Sequence, residues 1–123
     1  IFAKSFRRRE GLSKNFKFKN FTNKSTLLKK KYDLIINASN AGMSRGNKIN
    51  KNILRLVKKT KGVIDIVYNP LETDLLKEAE KHNIKSIGGL IMLVEQAKPS
   101  FEIWSKKDIE IDDKIYRSLI SKI

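Results

Sequence analysis

Four clusters in this 123-residue chain combine residue types that act on ligands. Ala3-Lys4-Ser5-Phe6-Arg7-Arg8-Arg9 sets a hydroxyl among basic side chains. Such a group suits a phosphate: Ser5 donates a hydrogen bond, Lys4 adds charge, and an arginine adds two parallel bonds or a plane that stacks on adenine. A solvated helix start has the same composition. Asn37-Ala38-Ser39-Asn40-Ala41-Gly42-Met43 packs small and amide residues together, as happens where backbone comes close to a ligand, although an ordinary loop reads the same way. Tyr68 offers a phenol or a half-buried core aromatic. Gly89 admits a flat ring to the main chain or simply serves a turn, and Gln96 binds a hydroxyl or faces water.

Composition narrows the chemistry further. With no cysteine and one histidine, His82, there is no thiolate nucleophile, no disulfide framework and no His-rich metal site, in keeping with a reducing cytoplasm. The 27 Lys and Arg outnumber the 13 Asp and Glu, giving +14, which favours anionic partners such as nucleotides, phosphates or nucleic acid. Residues 1–31 hold 11 basic and 1 acidic side chains, net +10, so only +4 is left for the rest. A nucleic-acid arm needs an aromatic platform, and Phe16, Phe18 and Phe21 alternate like strand residues instead. Apolar stretches such as Gly62 to Val67 and Leu90 to Val94 fall far short of the roughly 20 residues of a membrane span, so a soluble protein is expected.

The clusters need elements to position them, and strands alternate with helices along the chain. Ile1-Phe2-Ala3 reads as a strand already under way, with no signal-peptide pattern before it, so an amino-terminal portion is expected to be missing. Asp33 to Asn37 suits a buried parallel strand, and Asn50 caps a helix carrying Ile53, Leu54, Leu56 and Val57. Val63 to Tyr68 is the next strand, broken by Asn69-Pro70. Thr73 then caps a helix to about His82, followed by a brief strand over Ile84 to Ile87. Gly88-Gly89 opens a long helix on which Leu90, Leu93, Val94, Ala97, Phe101 and Trp104 form one apolar stripe, with a kink expected at Pro99. Asp112 caps a last helix with Ile115, Leu119 and Ile120 on one face.

This pattern predicts an α/β fold with parallel pairing and right-handed crossovers. Ligands of such sheets bind at the carboxyl ends of the strands, which singles out Lys4 to Arg9, Ala38 to Met43, Tyr68 to Thr73 and Gly88 to Met92. There an acid near the first strand end would take the ribose hydroxyls of NAD and basic residues the 2′-phosphate of NADP; no acid precedes Glu10.

In order and spacing, three blocks resemble the carboxy-terminal half of shikimate dehydrogenases. They are Asp33-x-Ile-Ile-Asn37-Ala-Ser-Asn-Ala-Gly42-Met43, Asp65-Ile-Val-Tyr68-Asn-Pro70-Leu-Glu-Thr73-x-Leu-Leu and Gly89-Leu-Ile-Met92-Leu-Val-x-Gln96-Ala, and Phe101-Glu-Ile-Trp104 closes the series. The resemblance implies NADP as cofactor and shikimate or 3-dehydroshikimate as small-molecule partner. The family's Asn-Arg-Thr turn, which holds the 2′-phosphate, looks like Ala3-Lys4-Ser5 with Arg8 here; a register shift by one would use Arg9. Ser39, Ile66, Gly89 and Met92 complete the implied cofactor set, and Tyr68 and Gln96 the implied substrate set. Ile91 stands where the family commonly has a second glycine.

The implied fold is a partial Rossmann-like doubly wound parallel sheet lacking its first strand, with a long carboxy-terminal helical segment. Residues 1–123 would be the carboxy-terminal part of the NADP-binding domain plus closing helices. The family's catalytic Lys and Asp belong to an amino-terminal substrate domain, and its glycine-rich loop follows the absent strand, so no catalytic residue is expected in this chain. In strand order 3-2-1-4-5-6 the absent strand lies between those at Ile1 and Asp33, which predicts a gap there. No metal and no membrane partner are expected, and a homodimer is an open assembly for the full-length enzyme. The alternatives are a quinate/shikimate dehydrogenase paralogue using NAD and a basic nucleic-acid-binding module without enzymatic activity.

Overall fold

The computed structural model describes residues 28–122. Its elements lie in the compact unit Tyr32–Ile123. They run β1 (Leu34–Asn37), α1 (Lys51–Val57), β2 (Gly62–Asp65), α2 (Asp74–Lys81), β3 (Lys85–Ile87), α3 (Gly89–Ser105) and α4 (Asp113–Ile120). The three strands form one parallel sheet in the order β1-β2-β3, so this is the α/β architecture that alternation predicts. The strand at Ile1 and the gap expected beside it fall outside the described residues.

Three of the four described helices, α1, α2 and α4, begin where a side chain takes over an orphan backbone N–H. Asn52 N donates to Asn50 Oδ1 at 2.9 Å, Leu76 N to Thr73 Oγ1 at 3.3 Å, and Ile115 N to Asp112 Oδ1 at 2.9 Å. α3 starts at Gly88 with no side-chain cap and runs through Pro99 to Ser105. Among the described residues no helix is long and apolar enough to cross a membrane.

The sheet alternates with period two, which sorts its side chains between two faces. Ile35 and Val63 are partners in the ladder, and on their face Ile49, Val57, Leu75 and Ala79 build the core with α1 and α2. Full burial stabilises a side chain such as Leu75 by about 1.5–3 kcal/mol over exposure. On the opposite face Ile36, Ile64 and Ile87 align as successive ladder partners, and Ile36 is 58% exposed. β1 is therefore half-buried, whereas its apolar run suggests burial on both faces.

Two strands are shorter than their apolar runs. β2 stops at Asp65 instead of reaching Tyr68, because the Val67 N–H turns back to Asp65 Oδ1 at 3.1 Å and leaves the ladder. β3 starts at Lys85 instead of Ile84, whose N–H is taken by Ala79 O at 2.9 Å where Asn83, at φ 53°, closes α2. The stripe on α3 also divides. Leu90 and Val94 are buried, but Leu93, Ala97 and Phe101 are exposed and Trp104 is 82% exposed, so the apolar stripe is not buried along the outer turns of α3.

Candidate functional site at the strand ends

β1 and β2 end side by side, with Asn37 and Asp65 as the last pair of their ladder. Asp65 is fully buried, and a buried carboxylate is costly unless donors surround it. Three do. Asn37 Nδ2 and Val67 N donate to Oδ1 at 2.9 and 3.1 Å, and Thr73 Oγ1 donates to Oδ2 at 2.6 Å. With both oxygens engaged, Asp65 anchors the segments that Asn37, Val67 and Thr73 belong to.

From Asn37 the network enters the first loop. Its Nδ2 also donates to Ala41 O at 2.8 Å, while its Oδ1 accepts from Ser39 Oγ at 2.7 Å and Ser39 N at 3.3 Å, a turn typical of asparagine. Ala41 N donates to Ser39 Oγ at 3.2 Å. The Ser39 hydroxyl thus spends its proton internally and keeps lone-pair capacity for a further donor. Gly42 adopts φ +96°, a backbone conformation that glycine reaches without the steric cost of a Cβ. Ser44 Oγ bridges to Asn69 Oδ1 at 3.0 Å, tying this loop to the one after β2.

The second loop carries Ile66 and Tyr68 and contains the cis Asn69–Pro70 bond. Its Tyr68 side chain is 43% exposed, so the phenol is no core aromatic. The third segment starts α3 against this loop: Gly89 N donates to Val67 O at 3.2 Å, and a Cβ on Gly89 would stand 2.2 Å from Ile66 O. The glycine is required by the protein's own backbone, apart from anything a ligand would ask. Farther along α3, Met92 is exposed and Gln96 folds back, with Nε2 donating to Met92 O at 3.2 Å.

Six of the residues singled out in the sequence therefore sit at one end of the sheet or on the helix that leaves it: Ser39, Ile66, Tyr68, Gly89, Met92 and Gln96. Ile66 and Gly89 are in contact. Ala3, Lys4, Ser5 and Arg8 lie outside the described residues. The roles of Asn37 and Ser44 are not evident from sequence, since each depends on a partner 25 or more residues away. Among the described residues no cluster of His, Asp or Glu could hold a metal ion. A groove of about 620 Å³ lies elsewhere, along the sheet face beside Leu34, Ile64 and Ile87.

No protein-family model matches the chain. The shikimate dehydrogenase (NADP(+)) of Methanococcus maripaludis strain S2 is 45% identical over 95 residues, which cover 75% of this chain and 33% of that protein. A chorismate mutase/shikimate 5-dehydrogenase fusion protein from Clostridium acetobutylicum superimposes with a TM-score of 0.75 at 32% identity, over 100% of this chain and 43% of the other. A shikimate dehydrogenase solved in complex with NADP+ gives 0.63 at 30% identity, over 92% and 40%. The chain spans about a third of the length of the curated relatives it matches.

Proposed function

Because the chain belongs to the shikimate dehydrogenase family, we propose that it is the carboxy-terminal, NADP-binding portion of an enzyme that reversibly reduces 3-dehydroshikimate to shikimate with NADPH. The observation that carries the reading is the gathering of all three matched blocks at the carboxyl edge of one parallel sheet, the binding edge of such folds.

The residues present fit a dinucleotide there. Gly89 brings a side-chain-free backbone unit against Ile66 and Val67, and the exposed Tyr68 and Met92 follow on those two segments. In this reading Ser39, Ile66, Gly89 and Met92 border the cofactor. Ala3, Lys4, Ser5 and Arg8 hold its 2′-phosphate, and Tyr68 and Gln96 hydrogen-bond the substrate. NADPH supplies the hydride, and this chain orients the reactants, which lowers the entropic part of the barrier. The proton-handling Lys and Asp belong to the remainder of the complete enzyme, so this chain alone is inactive.

The test is reduction of NADP+ by shikimate with the complete protein carrying this chain. Shikimate-dependent appearance of NADPH supports the reading. Activity confined to NAD and quinate would assign the paralogue, while DNA binding that falls steeply with salt, without saturable NADPH binding, would assign the nucleic-acid module.

A further inference from the structure

The site just described rests on a carboxylate that none of the assigned roles uses. Asp65 closes the Tyr68 loop from both ends: Oδ1 takes the Val67 N–H at its start and Oδ2 the Thr73 hydroxyl at its finish, 3.1 and 2.6 Å away. The same Oδ1 takes Asn37 Nδ2, and Asn37 in turn fixes Ser39 through two hydrogen bonds to its own Oδ1. One buried side chain therefore sits at the junction of the Ser39 turn, assigned to the cofactor, and the loop whose Tyr68 is assigned to the substrate. Packing alone does not call for an acid here, since Val63 serves the core from the same face of β2. An apolar residue would leave Val67 N–H, Asn37 Nδ2 and Thr73 Oγ1 short of a common acceptor.

We propose that Asp65 is a positioning residue that sets the Ser39 turn and the Tyr68 loop relative to each other through two separable arms, Asn37 toward the cofactor and Thr73 toward the substrate. The inference rests on the functional reading above for the identity of the two ligands, but not for the loop geometry. The arms make the role distinguishable from general stability: cutting one disturbs one loop, whereas cutting the hub disturbs both.

The experiment uses the complete enzyme carrying this chain, with Kd values for NADP+ and shikimate measured separately by calorimetry. Thr73→Val should weaken shikimate about tenfold and leave NADP+ within about twofold, and Thr73→Ser, which keeps the hydroxyl, should restore shikimate binding. Asn37→Ala should show the reverse preference, and Asp65→Asn should weaken both. Amide hydrogen exchange at Val67 should speed up in Thr73→Val and Asp65→Asn and stay slow in Asn37→Ala. Parallel weakening of both ligands in every variant, tracking the fall in Tm, would overturn the proposal. So would unaltered shikimate binding in Thr73→Val. If Asp65→Asn does not fold, the Thr73→Val and Thr73→Ser pair decides. If the wild-type enzyme binds neither ligand, the functional reading fails by itself, and the exchange pattern still supports or refutes the positioning role.

Discussion

Asn37 and Asp65 are the last paired residues of β1 and β2, and the 2.9 Å bond from Asn37 Nδ2 to Asp65 Oδ1 joins the two strands by side chains where their backbone ladder runs out. One further backbone bond, Ile66 N to Asn37 O at 3.1 Å, follows before the strands part. The parting opens the edge on which Ser39 and Tyr68 stand.

The close approach at Gly89 makes a sharp contrast with its neighbour. In Gly89→Ala the new Cβ meets Ile66 O at 2.2 Å and Ile66 C at 2.5 Å, backbone atoms that cannot rotate away. In Gly88→Ala it meets Leu76 Cδ1 at 3.3 Å, the end of a flexible side chain. Gly89→Ala should destabilise by about 1–3 kcal/mol and lower Tm by several degrees, with Gly88→Ala much milder in the same thermal denaturation. Equal Tm values for the two variants would contradict the geometry.

Leu75 is fully buried in the cluster shared by β2, α1 and α2. Leu75→Ala should cost about 2–5 kcal/mol in denaturant unfolding, from lost transfer energy and the cavity left behind. Trp104→Ala, at a side chain 82% exposed in this chain, should leave stability nearly unchanged.

Cofactor choice is tested by Lys4→Ala combined with Arg8→Ala in the complete enzyme. Charge-assisted hydrogen bonds to a 2′-phosphate are worth about 1.5–3 kcal/mol each, so NADPH affinity should fall at least about tenfold while NADH affinity holds. An equal fall for both would mean that the basic segment attracts anions without reading the phosphate.

Substrate recognition should respond to Tyr68→Phe and Gln96→Ala. Each should lower kcat/KM for shikimate by about 1–3 kcal/mol, with the Kd for NADP+ nearly constant and with effects less than additive if both residues orient one molecule. Unchanged kinetics would leave Tyr68 a half-exposed aromatic and Gln96 a side chain that bonds only its own helix.

The 2.7 Å pair between Lys61 Nζ and Asp33 Oδ1 gives a pH signature at the other end of the sheet. Its hydrogen bond and charge hold Asp33 below the ordinary carboxylate range and Lys61 above the ordinary lysine range. The Asp33 contribution is full above its unfolded pKa and is lost as pH falls through the lowered folded value. For Lys61 the contribution is full below the unfolded pKa and is lost as pH rises through the raised one. Both side chains are more than four-fifths exposed, so the contribution is small and screened. An NMR titration of the Asp33 carboxyl should show its midpoint return toward the ordinary range in about 1 M salt, where the Debye length is about 3 Å.

The sequence by itself determined the element order, because local rules govern it. Asn50, Thr73 and Asp112 cap the helices they precede, as their short polar side chains dictate, and the β-branched pairs Ile35-Ile36 and Val63-Ile64 lie in strands. The three blocks at strand ends are legible through their order and spacing, which resemble those of the family. Only the tertiary structure decided where the strands stop and which polar groups meet. Val67 looks like strand until the Asp65 carboxylate captures its N–H, and Ile84 until the end of α2 claims its own. The stripe from Leu90 to Trp104 follows helical periodicity, which fixes the face a residue shares but not whether anything packs against that face. Asn37, Asp65 and Thr73 converge from three segments, and since a hydrogen bond depends on separation in space, no spacing along the chain encodes it.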